Sequence, residues 1–140
     1  RGDDEAHDAY RGGLRSAAVV DGPGGRFGVA RALLSTGTAV TLISPRAAAV
    51  AATARGPRRC VDAPWAAAGT ERQFCGETAS VGVEIGTCVG ARVKAIVATD
   101  LPRGLDLVVG HDVLSRSILQ ISFAEVTPAI VCRRRRRGWI

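Results

Sequence analysis

Three residue types that carry hydrolytic chemistry stand at two places in the chain. Ser35 opens the triplet Ser35-Thr36-Gly37, and His111 and Asp112 are neighbours much further on. A serine, a histidine and an aspartate can act as nucleophile, base and orienting acid, provided the imidazole lies within about 3.2 Å of the hydroxyl and an oxyanion hole is present. Nothing in the sequence supplies either condition. Metal chemistry is no better served. Cys60, Cys75, Cys88 and Cys132 are too widely spaced for a Cys-x-x-Cys knuckle, His7 and His111 are the only histidines, and no metal or cofactor is expected. Lone cysteines in predicted strands read as small core hydrophobes in a reducing compartment, the alternative being a disulfide framework.

The surroundings of the triplet are more telling than its hydroxyl. Ala32 to Ser44 reads as an apolar strand, the triplet, a small residue and a second apolar run ending in serine. Further on, Leu105-Asp106-Leu107-Val108-Val109-Gly110-His111-Asp112-Val113-Leu114 gives an apolar strand, then Gly-x-Asp, then an apolar pair. In this order the two runs resemble the retropepsins, the aspartic proteases of retroviruses and retrotransposons, over about residues 14–132. Ser35 stands where that family has its catalytic Asp.

The resemblance implies a closed all-β barrel with a flap hairpin and one short C-terminal helix. It also implies an active site assembled by a homodimer, since the chain carries only one such triplet. In such a site two carboxylates share a proton across the axis, and their mutual repulsion splits their pKa values so that one serves as base and the other as acid. Serine cannot replace a carboxylate in that role near neutral pH. The chain as written is therefore expected to be inactive: either an endopeptidase from a retroelement polyprotein silenced at one position, or a natural pseudoprotease that keeps the dimer and cleft for binding.

Carried over residue by residue, the resemblance gives Ser35 the catalytic position and Thr36 a hydrogen bond across the dimer axis, with Gly37 completing the triplet. Thr38 and Ala39, the flap tip at Ala68, Gly69 and Thr70, and Val109 would contact an extended peptide. Gly110 and Asp112 would be structural. The viral enzymes commonly place an acidic residue where Ala39 stands, so one grip on the peptide backbone is missing.

Around these motifs the chain reads as short strands. Residues 1–13 are polar and charged, a flexible leader. Leu14 to Asp21 and Arg26 to Leu34 read as strands joined at Gly22-Pro23-Gly24-Gly25, a hairpin that delivers Ser35. Ala39 to Ser44 continues as a strand, Pro45 to Arg55 is a short helix or a loop, and Cys60 to Ile85 is a long hairpin bending near residues 67–71. Val89 to Ala98, Leu119 to Phe123 and Pro128 to Cys132 are further strands, the last offered to a dimer sheet.

The 140 residues fit one domain, and 46% hydrophobic content suffices for a core. The absence of Met suggests a piece of a longer polypeptide. No signal peptide and no run of roughly 20 apolar residues is visible, so an intracellular, cytoplasmic location without membrane contact is expected. The net charge is +6, but five of the 19 basic residues form the run Arg133 to Arg137, leaving 14 basic against 13 acidic. Basicity thus reads as a property of a tail, residues 133–140, able to make weak nucleic-acid contacts.

Overall fold

The computed structural model describes residues 14–64, 72–86, 90–116, 118–122 and 129–133. Among these residues the elements follow one another as β1 (Leu14–Gly22), β2 (Gly25–Leu34), β3 (Leu42–Ile43), α1 (Pro45–Ala51), β4 (Gly56–Asp62), β5 (Gln73–Ile85), β6 (Gly90–Val97), β7 (Leu107–Val109), α2 (His111–Leu114), β8 (Ile118–Ser122) and β9 (Ala129–Arg133). The domain is all-β, as expected from its turn-rich, aromatic-poor composition.

Six strands close into a barrel in the order β1-β2-β7-β3-β6-β5, with β5 returning to β1. The 13-residue β5 makes this closure. Its first half pairs with β4 from Gln73 to Thr78, and its second half pairs with β1 through Gly82 to Ile85. The β4–β5 hairpin therefore projects from the barrel as a continuation of one of its strands. β8 and β9 form a separate antiparallel pair, so β9 finds its partner within the chain.

The central strands are buried on both faces, which explains their unbroken apolar runs. Leu34, Ile43, Ala95, Val97, Leu107 and Val109 point into the barrel with Val20, Val81 and Val83. Their neighbours Leu33, Leu42, Ile96 and Val108 point outward and are covered by Val61, Ala63 and Phe74 of the β4–β5 hairpin region. Side chains two apart share a face, so this division follows from the strand period alone. The hairpin is thus a lid on a second core.

Helix α1 settles the ambiguous Ala-rich segment. Ser44 caps it by accepting from the Ala47 amide at 3.1 Å, Pro45 occupies the first turn, and Ala47, Ala48 and Ala51 are fully buried. Small side chains let this helix lie close against the barrel.

Three expectations are corrected. The strand expected over Ala39 to Ser44 shrinks to Leu42–Ile43, because the Thr38 carbonyl and the Thr41 amide and hydroxyl bond to the residues around Gly110, and of Thr41 only the carbonyl joins the ladder, accepting from the Ile96 amide at 2.9 Å. Cys60 and Cys75 are not core thiols. They are register partners across β4 and β5, Cys60 exposed and Cys75 half-buried, and they form a disulfide. Pairing was set by hairpin register, which spacing alone does not reveal. Finally, Arg133, the first residue of the expected tail, ends β9; Arg134 to Arg137 and the leader lie outside the described residues. Among the described residues no helix is long and apolar enough to cross a membrane.

Candidate functional site

The loop from Ser35 to Thr41 joins β2 to β3, and β7 runs between those two strands, parallel to β2 and antiparallel to β3. The threading strand therefore reaches both arms of the loop. Three successive residues at its end hold the loop through backbone groups. The Val109 carbonyl accepts from the Ser35 amide at 2.9 Å, the Gly110 amide donates to Thr41 Oγ1 at 3.1 Å, and the His111 amide donates to the Thr38 carbonyl at 2.7 Å.

Within the loop, the Thr38 amide donates to the Ser35 carbonyl at 3.3 Å, closing a four-residue turn over Thr36 and Gly37. The side chains repeat the bridge, with Ser35 Oγ and Thr38 Oγ1 2.8 Å apart. Thr38 is fully buried and Ser35 half-buried, whereas Thr36, Gly37 and Ala39 are exposed. The turn thus presents its tip outward and anchors its base.

Asp112 fixes the other end. Its carboxylate accepts from Thr41 Oγ1 at 2.7 Å, from the Thr41 amide at 3.1 Å and from its neighbour's amide, Val113, at 2.9 Å. These bonds tie β3 to the start of α2. Gly110 sits where the two strands of the loop converge. A Cβ built there would lie 2.7 Å from the Thr38 carbonyl oxygen, 2.8 Å from the Val40 carbonyl carbon and 3.0 Å from the Thr41 nitrogen. All three are backbone atoms, so no rotamer change could make room for a side chain.

The β4–β5 hairpin comes close to the turn. A Cβ on Gly37 would lie 3.2 Å from Pro64 Cγ, at the point where the chain leaves β4. The Ala63 amide donates to the Arg72 carbonyl at 2.8 Å, extending the hairpin pairing beyond its strands. The expected flap residues Ala68, Gly69 and Thr70 fall outside the described residues.

Ser35, Thr36, Gly37, Thr38, Gly110 and Asp112 are therefore gathered into one assembly, with Ala39 exposed at its rim. Val109 joins it through its carbonyl only, since its side chain is fully buried in the barrel. His111 and Asp112 do not form a relay with Ser35. Asp112 is engaged by Thr41, and the Ser35 hydroxyl bonds to another alcohol. Two alcohols with no attached base cannot move a proton as acid and base.

Two contributors were missed at the sequence level. Thr41, a fully buried polar residue inside an apolar run, was the signal for a buried partner. Asp106, in sequence only a member of an apolar run, accepts from Ser44 Oγ at 2.6 Å and from Arg46 at 2.9 Å. In comparisons with known proteins the chain matches no family model, no curated protein and no solved structure.

Proposed function

We propose that this chain is a retropepsin-type aspartic endopeptidase domain that works as a homodimer on extended polypeptide, silent as written because Ser35 occupies the position of the catalytic Asp. The observation that carries this reading is the Ser35 loop itself. A Ser-Thr-Gly turn is held between β2 and β3 by a strand threaded between them, and a hairpin closes toward its Gly37.

The surroundings of Ser35 suit a carboxylate. Thr38 Oγ1, 2.8 Å from the Ser35 hydroxyl, can donate to an aspartate at the same position, and the backbone bond from Ser35 to Val109 involves no side chain. Across a dimer axis two such carboxylates would share one proton and activate a water. The β4–β5 hairpin would cover an extended peptide and offer it backbone hydrogen bonds.

A second reading has its own observation. The Ser35 and Thr38 hydroxyls satisfy each other, so the loop is complete without a carboxylate, as a natural pseudoprotease retained for binding would require.

The test compares the chain as written with Ser35→Asp for cleavage of an unstructured protein from acidic to neutral pH, with oligomeric state checked by sedimentation. Cleavage only by the Asp form, blocked by a transition-state-mimicking aspartic-protease inhibitor, is expected. Folded dimers inactive in both forms would favour the pseudoprotease, and folded monomers inactive in both would sink the dimeric-site reading.

A further inference from the structure

The charge outside the Arg133–Arg137 run nearly cancels in sequence, but it does not cancel in space. Two shallow hollows, of about 290 and 580 Å³, adjoin on one side of the barrel and share Ser80, Arg92 and Lys94 as their common wall. Arg55 lines the smaller, and Arg59 and Arg116 line the larger. All five cations are exposed. The single carboxylate in the lining is Asp112, already bonded to Thr41.

The arrangement is built by the sheet. Arg92 and Lys94 are two apart on β6, so they share a face at a separation of roughly 7 Å along the strand. Their β5 register partners on that face are Gly82 and Ser80; the carboxylate of Asp21 lies over Gly82, and Glu84, next on the same face, is paired with Arg26. Arg116 is drawn to the same place by a bond from its guanidinium to the Arg92 carbonyl at 3.4 Å. The ion pairs among the described residues, Arg26–Glu84, Arg46–Asp106 and Arg72–Asp100, use none of the five. The five cations outnumber the carboxylates beside them, Asp21 and Asp112, and such an excess of like charge costs stability in a free protein and favours an anionic partner.

We infer that this furrow binds the sugar-phosphate backbone of a nucleic-acid strand, independently of the proposed peptidase activity and of the Arg133–Arg137 run. Four of the five cations are arginines, whose planar forks match phosphate oxygens. No aromatic ring lines either hollow, and among the described residues the only large exposed apolar side chain is Val50 on α1. The furrow therefore lacks the apolar anchors of a peptide groove or a membrane-inserting face, and with no stacking platform it would not distinguish bases. Repeated cations along a surface suffice for phosphates.

The test is fluorescence anisotropy of a labelled single-stranded RNA with the full chain over a series of salt concentrations. Each phosphate contact contributes about −0.7 to the slope of log affinity on log salt. Replacing Arg92→Ala with Lys94→Ala should flatten the slope by about 1.4 and weaken binding roughly tenfold at low salt. The pair Arg55→Ala with Arg59→Ala, outside β6, should do the same, which keeps the test decisive if either pair misfolds. The control pair Arg26→Ala with Arg46→Ala should change neither quantity. The inference is overturned if the unaltered chain does not bind at low salt. It is also overturned if the slope responds only to replacing Arg133–Arg137 with serine, or if polyglutamate of equal charge competes as well as RNA.

Discussion

Asp112 and Asp106 stand at opposite ends of β7, and each accepts a hydroxyl from a residue bordering the two-residue strand β3. Thr41 precedes that strand and Ser44 follows it. The resemblance ends there. Asp112 satisfies two groups of fully buried Thr41, with no cation among its partners in the described residues. Asp106 shares its carboxylate between the Ser44 hydroxyl, which also caps α1, and an exposed Arg46. A strand too short to hold itself by its ladder is thus fastened at both ends by side chains. Both carboxylates are half-buried, but at the end nearer Ser35 the residue held is fully buried, whereas at the far end the carboxylate also engages an exposed arginine. Strength should follow burial, because a buried group that loses its partner bears the whole desolvation cost while an exposed one turns to water.

The strongest way to break the inner end is not through Asp112 but through Gly110. Gly110→Ala would push a methyl into backbone on three sides, and we expect a loss of about 3 kcal/mol or failure to fold, read by urea denaturation. A loss below about 1 kcal/mol would mean that the loop can shift as a unit and that the inner fastening is looser than described. Asp112→Ala should follow at about 2–3 kcal/mol, since it strands the Thr41 hydroxyl and amide in the interior. Asp112→Asn, which keeps an acceptor oxygen for the hydroxyl, should recover part of that.

Much of the inner end was legible in the chain. Gly110 and Asp112 were recognisable from an apolar strand followed by Gly-x-Asp, and the Ser35 turn from its small polar triplet between apolar runs. Those signals are local, and periodicity carries local signals well. What the sequence withheld were partnerships across distance. Thr41 finds Asp112 and Ser44 finds Asp106 only after β7 has been threaded between β2 and β3. The same is true of the disulfide, because Cys60 and Cys75 meet through hairpin register and not through spacing. The cationic furrow was hidden for a related reason. Counting charge along the chain cancels residues that the fold later separates, pairing Glu84 with Arg26 while bringing Arg55, Arg59 and Arg116 to the side of Arg92 and Lys94.

The outer end should yield less. Asp106→Ala removes the acceptor from Ser44 but leaves Ser44 capping the Ala47 amide, so we expect about 1–1.5 kcal/mol by thermal denaturation. Ser44→Ala removes cap and pair together and should cost about 1–2 kcal/mol. If Asp106→Ala proved as damaging as Asp112→Ala, burial would not be what separates the two ends.

Arg46→Ala is the smallest effect and the sharpest check on the distinction. The Arg46 side chain is 73% exposed, pairs with Asp106 at 2.9 Å and lies 5.3 Å from the centroid of the Phe27 ring. An exposed ion pair contributes about 0.2–1 kcal/mol and an exposed cation–π contact about 0.5–1 kcal/mol, both offset by the entropy of fixing a long side chain. The expected net loss is under about 1 kcal/mol, and the ion-pair part of it should shrink as salt is raised. A double-mutant cycle with Asp106→Ala separates the two contributions: the coupling energy reports the pair, and what remains when Asp106 is already absent reports the ring contact. A coupling well above about 1 kcal/mol that persisted in high salt would make Asp106 an interior group in energetic terms, and the two ends of β3 would then be fastened alike.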